Sequence, residues 1–222
     1  MSHTLKLYSY WRSSAAYRVR IALNLKGLAY DLVPVHLVQN AGEQHDASYH
    51  RLNPQELVPV LLDGRRVIHQ SLAIIEYLDE ATQGAAALLP TNPRARARAR
   101  SLALLVACDI HPLGNLRVLQ FLEREFQLPR DERERWSRHW ITEGLRAFEE
   151  LVADHPSTGT YCEGDAPTLA DICLVPQVYN AQRYGVDLTP YPTIERICER
   201  CRALPAFDAA RPERQPDAPE PG

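Results

Sequence analysis

The 222-residue chain is predicted to fold as an N-terminal α/β domain followed by an all-α C-terminal domain, and three observations carry that prediction. Strand-like and helix-like segments alternate through the N-terminal third. A proline-punctuated stretch, Leu88-Leu89-Pro90-Thr91-Asn92-Pro93, then breaks the pattern. Beyond it strand signals stop and apolar residues recur at helical spacing. The expected domains are residues 1–84 and 91–222.

Residues 4–8 read as a short strand. A polar turn, Tyr10-Trp11-Arg12-Ser13-Ser14, leads into a helix from Ser14 to Lys26 with Val19, Ala22, Leu23 and Leu25 on its buried side. Gly27 ends it, because glycine takes up the left-handed conformation found just past helix C-termini. Residues 30–35 form the next strand, parallel to the first across a helical crossover. Residues 39–50 show no pattern and read as loop. Residues 58–62 and 66–68 flank Asp63-Gly64, a strong hairpin signal. A further helix opens at Gln70-Ser71 with Ser71 as its N-cap. This order, βαβ then ββα, is that of a thioredoxin-like domain. Downstream, helices are expected over residues 93–126, 131–154, 168–184 and 193–204, with His111-Pro112 bending the first. The proline-rich tail from Arg211 is expected to be extended.

Hydrophobic residues make up 45% of the chain, which is ordinary for a globular protein, and no uninterrupted apolar run approaches the ~18 residues that cross a bilayer. No membrane partner is expected. Met1-Ser2-His3-Thr4 has neither the basic nor the apolar region of a secretory signal, so a cytoplasmic location is expected. Five cysteines in irregular spacing fit a reducing compartment. A net charge of −3 offers no global basic field for nucleic acid. Arg94, Arg96, Arg98 and Arg100 fall into two i,i+4 pairs on nearly opposite faces and read as a solvated helix surface. Cys198 and Cys201 form C-x-x-C without a second ligand pair, so no metal is expected, and Cys108, Cys162 and Cys173 read as packed thiols. Thr168 and Asp171 have capping-box spacing, a structural feature.

The chemistry centres on Ser13 and Ser14. A strand running into a helix start presents free backbone N–H groups and the positive end of the helix dipole, which favour an anion. By itself a Ser-Ser pair is more simply a helix cap. Val58-Pro59 changes the weighing: a proline at a strand start suits an edge or a cis bond, and the Val58 backbone can then pair with an extended peptide. Gln70-Ser71 is a second helix start able to hold a carboxylate. Two anion sites with a peptide-pairing edge between them describe a glutathione pocket.

The segments Ser13-Ser14-Ala15-Ala16-Tyr17-Arg18-Val19-Arg20-Ile21-Ala22-Leu23, Asn53-Pro54, Val58-Pro59, residues 69–78 (HQSLAIIEYL), Leu174-Val175-Pro176-Gln177-Val178, residues 187–194 (DLTPYPTI) and Arg214-Gln215-Pro216-Asp217 resemble the zeta-class glutathione transferases over nearly the whole chain. The resemblance implies a glutathione transferase architecture, a homodimer and glutathione as cofactor. It places Ser13 against the glutathione sulfur with Ser14 assisting, Val58 on the cysteinyl backbone, Gln70 and Ser71 on the γ-glutamyl end, and Gln44 and Asn115 as further contacts. It implies cis–trans isomerisation of a small cis-enedioyl acid: maleylacetoacetate in aromatic amino-acid breakdown, or alternatively maleylpyruvate. General conjugation of glutathione and a glutathione-binding module without turnover are the remaining alternatives. Ala15 stands where the family commonly has cysteine, which leaves the attacking sulfur to glutathione itself.

A thiol of pKa ~8.5 must drop about two units, roughly 2.7 kcal/mol, to be mostly thiolate near neutral pH. A hydrogen bond to a charged acceptor contributes ~1.5–3 kcal/mol and a helix N-terminus ~0.3–1, so Ser13 and its helix suffice. The thiolate is expected to add to the cis double bond, leaving an enolate that rotates before the sulfur departs. Substrate carboxylates and enolate charge call for arginine's fork of donors. Arg12, Arg117 and Arg183 are the candidates, with His111 lining the cleft and Arg12 beside the catalytic serines.

Overall fold

Strand β1 (Leu5–Ser9) and strand β2 (Tyr30–Pro34) pair in parallel, Leu5 opposite Tyr30, across helix α1 (Ser14–Leu25). Strand β3 (Val60–Asp63) runs antiparallel to β1, and β4 (Arg66–His69) closes the hairpin, giving a sheet of order β2-β1-β3-β4. This is the expected thioredoxin-like arrangement, seen in a computed structural model that describes residues 4–82 and 86–220. The interior strands carry the core, with Leu7, Val60 and Leu61 wholly buried. Helix α1 is buried on nearly every face from Ala16 to Leu23. At its end Gly27 has φ +64, and the Gly27 and Leu28 N–H groups donate to Asn24 and Leu23 carbonyls, a Schellman closure.

Three local readings shift. Asp63 pairs with Arg66, so the turn is Gly64-Arg65, with Gly64 at φ +60. Residues 39–50 are not featureless: a 3-10 turn, Glu43–His45, precedes helix α2 (Ala47–Leu52). A single helical turn and a half is too short to show periodicity. Helix α3 (Ser71–Ala81) is capped not by Ser71 but by Gln70, in a left-handed conformation (φ 68), so Ser71 is its first helical residue.

The chain divides into two units, Met1–Leu88 with Leu204–Gly222, and Leu89–Ala203. The expected second domain therefore ends early, and the tail returns to the first unit. Helix α9 (Pro205–Ala209) packs on α1, with Phe207 and Ala210 wholly buried and the Asn24 side chain donating to the Ala206 carbonyl at 2.9 Å. A short 3-10 turn, Pro212–Arg214, follows with Pro212 buried. The tail needs no core of its own because it borrows this surface.

The second unit is all helical: α4 (Pro93–Leu104), α5 (Leu116–Phe126), α6 (Arg130–Val152), α7 (Leu169–Arg183) and α8 (Pro192–Arg202). The expected single helix over 93–126 is in fact broken. A π-helical stretch, Leu105–Ile110, and a 3-10 turn, His111–Gly114, absorb the missing proline hydrogen bond, and the chain is extended at Asn115. By length and hydropathy alone this stretch could cross a membrane, with a mean hydropathy of 1.4 in its best window. The break at Asn115 would leave backbone groups unpaired in lipid, which argues for a folded unit instead. A Cβ at Gly144 would collide with Ile110, so the glycine lets α6 approach this irregular stretch.

Helix α7 is buried almost throughout and starts in the expected capping box. Asp171, wholly buried, accepts from the Thr168 N–H (2.8 Å), the Thr168 hydroxyl (2.9 Å) and the Cys162 N–H (2.9 Å). Arg98 is no solvated surface residue: its guanidinium donates to the Cys162 and Leu151 carbonyls, Thr158 and Glu163. Cys162, Cys173, Cys198 and Cys201 are buried free thiols, whereas Cys108 is exposed rather than packed. Burial pushes the Cys198 thiol up to about 12, which makes it inert.

Candidate functional site

Tyr10 to Ser14 connect β1 to α1. The Ser13 N–H donates to the Tyr10 carbonyl at 3.0 Å, closing a tight turn. Ser13 is then the N-cap of α1, its Oγ accepting from the Ala16 N–H at 3.2 Å. A hydroxyl has two acceptor lone pairs and one hydrogen. Capping uses a lone pair, so the hydrogen is left to donate to an anion in front of the helix. Cap and anion ligand are thus compatible roles of one side chain. Ser14, the first helical residue, is buried behind it. Neither α1 nor α3 carries an acidic side chain in its first turn, whereas α6 has Asp131 and Glu132 there. The positive ends of α1 and α3 are not neutralised from within.

The other first-unit candidates lie in the segments that connect or follow the strands: Gln44 in the 3-10 turn, Val58 before β3, and Gln70 and Ser71 at the start of α3. Val58 is buried, joined to Pro59 by the expected cis bond, and precedes the first paired residue of β3, Val60. Its backbone therefore lies outside the strand ladder. Gln70 is exposed and donates to the Gln55 side chain at 2.9 Å. Ser71 is buried, its hydroxyl accepting from Arg18 Nη1 at 3.4 Å. Gln44 is only 5% exposed, yet its Oε1 has no hydrogen-bond partner among the described residues. A buried acceptor without a donor is costly, and a ligand N–H would satisfy it. Arg12 lays its guanidinium over the Trp11 ring, 5.4 Å from the centroid.

Four candidates belong to the second unit. Asn115 is the N-cap of α5, its side chain accepting from the Arg117 N–H at 3.1 Å. Arg117 is exposed in the first turn of that helix, and His111 is half-buried in the 3-10 turn just before it. Arg183 is exposed at the end of α7, over the Tyr184 ring at 4.7 Å. Asn115, Arg117 and His111 are thus brought into one short stretch, and Arg183 stands on a different helix.

A glutathione S-transferase N-terminal domain family matches residues 7–86. The probable maleylacetoacetate isomerase of Vibrio cholerae is 54% identical over 215 residues, covering 97% of this chain and 99% of that protein. The chain belongs to the zeta-class glutathione transferase family. A solved bacterial zeta-class maleyl pyruvate isomerase superposes with a TM-score of 0.93 at 47% identity, covering 96% of this chain and 100% of its own. A maleylacetoacetate isomerase from Methylobacterium extorquens AM1, solved with malonate and GSH bound, gives 0.92 at 47% identity, covering 96% and 99%.

Two arginines of this zeta-class chain, Arg18 and Arg20, lie within α1 next to the serine turn. Arg18 is 2% exposed beneath Ser71, and Arg20 is wholly buried, donating to Ser9 Oγ and to the Tyr10, Trp11 and Ala210 carbonyls. The signal was present. Two positions apart on a helix, Arg18 and Arg20 project to nearly opposite sides, so a helix packed against the core buries at least one of them.

Proposed function

We propose that this zeta-class chain is a glutathione-dependent cis–trans isomerase acting on maleylacetoacetate, with Ser13 stabilising the thiolate. The observation that carries the reading is the geometry of Ser13, whose cap bond uses an acceptor lone pair and leaves its hydroxyl hydrogen able to donate, at a helix start that has no acidic side chain of its own. The near full-length identity to named isomerases supports the reaction.

The residues present fit glutathione. The orphaned Gln44 Oε1 suits one of its N–H groups, the Val58 backbone outside the ladder suits its cysteinyl amide, and Gln70 with Ser71 at the start of α3 suits its γ-glutamyl carboxylate. Bound glutathione supplies the thiolate that renders the substrate's cis double bond free to rotate. Ser13 holds the sulfur in its charged form by donating its hydroxyl hydrogen, and the dipole of α1 adds to that preference. Ser14 buttresses the same helix start. Arg18, buried under Ser71, places a positive charge behind the carboxylate subsite. Arg12 of the first unit and Arg117 and Arg183 of the second are assigned to the substrate's carboxylates and to the negative charge that develops in the transition state, and His111 and Asn115 lie in the same short stretch as Arg117. A homodimer completes the reading on the class resemblance, with a cytoplasmic location in keeping with the five free cysteines; sedimentation tests the assembly.

Maleylpyruvate is the second reading, favoured by the superposition on a maleyl pyruvate isomerase. Both substrates are assayed with purified protein, with and without glutathione. Turnover of maleylacetoacetate that needs glutathione and exceeds that of maleylpyruvate supports the proposal. A reversed preference establishes the second reading, and activity on neither substrate overturns both.

A further inference from the structure

The loop that presents Ser13 is held from behind by Arg20 of the helix it leads into and by Asp217, which is far from it in sequence. One guanidinium, that of Arg20, donates to Ser9 Oγ (3.0 Å), the Tyr10 carbonyl (3.4 Å) and the Trp11 carbonyl (2.9 Å), and its Nε donates to the Ala210 carbonyl of the C-terminal segment at 3.1 Å. From the same segment, Asp217 Oδ2 accepts from the Trp11 N–H at 2.8 Å. Both backbone groups of Trp11, two residues before Ser13, are therefore fixed by charged side chains. The Tyr10 carbonyl that Arg20 holds is also the acceptor closing the turn onto the Ser13 N–H. Charge-assisted bonds of this kind are stronger and more directional than neutral ones.

The tail that supplies Ala210 and Asp217 is itself locked to the first unit. Phe207 and Ala210 are wholly buried and the Asn24 side chain donates to the Ala206 carbonyl at 2.9 Å, while within the tail the Gln215 side chain donates to the Ala209 and Arg211 carbonyls at 3.1 and 2.8 Å. A loose tail would leave Asp217 free to move, and the Trp11 N–H would exchange a fixed carboxylate for water.

We propose that Arg20 and Asp217 are positioning residues for the thiolate site, and that the C-terminal segment Leu204–Asp217 is a strap that fixes the Ser13 hydroxyl. The proposal rests on the assignment of Ser13 to the glutathione sulfur. Placement matters because a hydrogen bond to a thiolate weakens steeply as its geometry loosens. Asp217 is the group to vary, since it lies in the half-exposed tail, whereas a wholly buried Arg20 risks the fold when changed.

The test titrates the thiol of bound glutathione by its ultraviolet thiolate absorbance in the full-length protein carrying Asp217→Ala, Asp217→Asn, Gln215→Ala or Ser13→Ala. Binding of S-methylglutathione, which has no ionisable thiol, is measured alongside. Asp217→Ala is expected to raise the thiol midpoint by about half to one pH unit, part of what one charged hydrogen bond supplies, with S-methylglutathione affinity changed less than about twofold. Asp217→Asn keeps an acceptor for the Trp11 N–H and is expected to recover most of the shift. Removing the Asp217 charge alone would favour the thiolate and lower the midpoint, so the sign separates positioning from simple electrostatics. An unchanged or lowered midpoint in Asp217→Ala, beside a raised one in Ser13→Ala, overturns the strap and leaves Ser13 standing. Gln215→Ala loosens the strap and acts through Asp217, so it is expected to raise the midpoint by no more than Asp217→Ala does; a larger shift in Gln215→Ala overturns the proposal, because the tail would then act on Ser13 by another route. No shift in Ser13→Ala overturns the assignment beneath the proposal.

Discussion

Replacing Asp171 with alanine removes a wholly buried carboxylate that accepts three hydrogen bonds, from the Thr168 N–H, the Thr168 hydroxyl and the Cys162 N–H, all at 2.8–2.9 Å. Hydrogen bonds to charged groups contribute ~1.5–3 kcal/mol each, so a simple sum is about 4.5–9 kcal/mol. Burial of the carboxylate opposes this, and it is the largest influence on Asp171, raising its pKa against the lowering by its hydrogen bonds. Alanine relieves that desolvation cost, and the Thr168 hydroxyl can rotate to another acceptor. The two backbone N–H groups cannot, and each left buried costs ~1–3 kcal/mol. The net expectation is a loss of about 3–5 kcal/mol, the size of breaking a buried charge interaction. Urea unfolding followed by tryptophan fluorescence reads it, because Trp136 and Trp140 both lie on α6 of the second unit. A loss below about 1 kcal/mol would refute the reasoning. Linkage gives a second check: a raised folded pKa means that stability from this group is lost as pH rises from the ordinary 3.8 through the folded value. Asp171→Ala should therefore show a smaller fall in stability over that rise than the parent protein, after the other carboxylates, which act in the opposite sense, are matched.

Two further expectations concern the first unit. Gln70→Ala should raise the KM for glutathione several-fold with kcat nearly unchanged, since a contact to the γ-glutamyl end is the same in ground and transition states; steady-state kinetics at varied glutathione reads the split. Glu56 is held below its ordinary value of 4.5 by hydrogen bonds from His45 and His50, at 2.5 and 2.8 Å. A depressed carboxylate stabilises above its unfolded pKa, so the tie from α2 to the loop before Val58 should loosen as pH falls below about 4.5 and through the lower folded value. Amide hydrogen exchange over residues 45–57 should then speed up more in the parent than in Glu56→Gln.

The sheet and its crossover were legible because strand alternation, Gly27 and the Asp63-Gly64 hairpin are all local signals. So was the capping box of α7. The parts that escaped are set by tertiary structure. The left-handed Gln70 takes the cap position from Ser71, a backbone choice that no propensity for glutamine foretells. The π and 3-10 turns around His111-Pro112 convert an expected bend into a break, because the proline's lost hydrogen bond is absorbed by changing helix pitch. The tail from Arg211 read as extended since its own apolar content is low, yet Pro212 and Gln215 are buried in it, following Phe207 and Ala210 of the segment that packs on α1. At the site, Ser13, Ser14, Gln70 and Ser71 were recognisable from their places at helix starts, whereas Gln44 rested on the family resemblance alone. The burial of Arg18 and Arg20 escaped, because charged side chains default to solvent unless the helix is known to be buried all round.

The central claim is that Ser13 keeps the glutathione sulfur charged. The direct measurement is the pH titration of bound glutathione by thiolate absorbance in the parent protein and in Ser13→Ala, joined to kcat/KM at neutral pH. One lost charged hydrogen bond predicts a midpoint raised by about one to two units and activity lower by on the order of 10–100-fold. A thiol in Ser13→Ala that titrates as in the parent, with activity intact, would contradict the account.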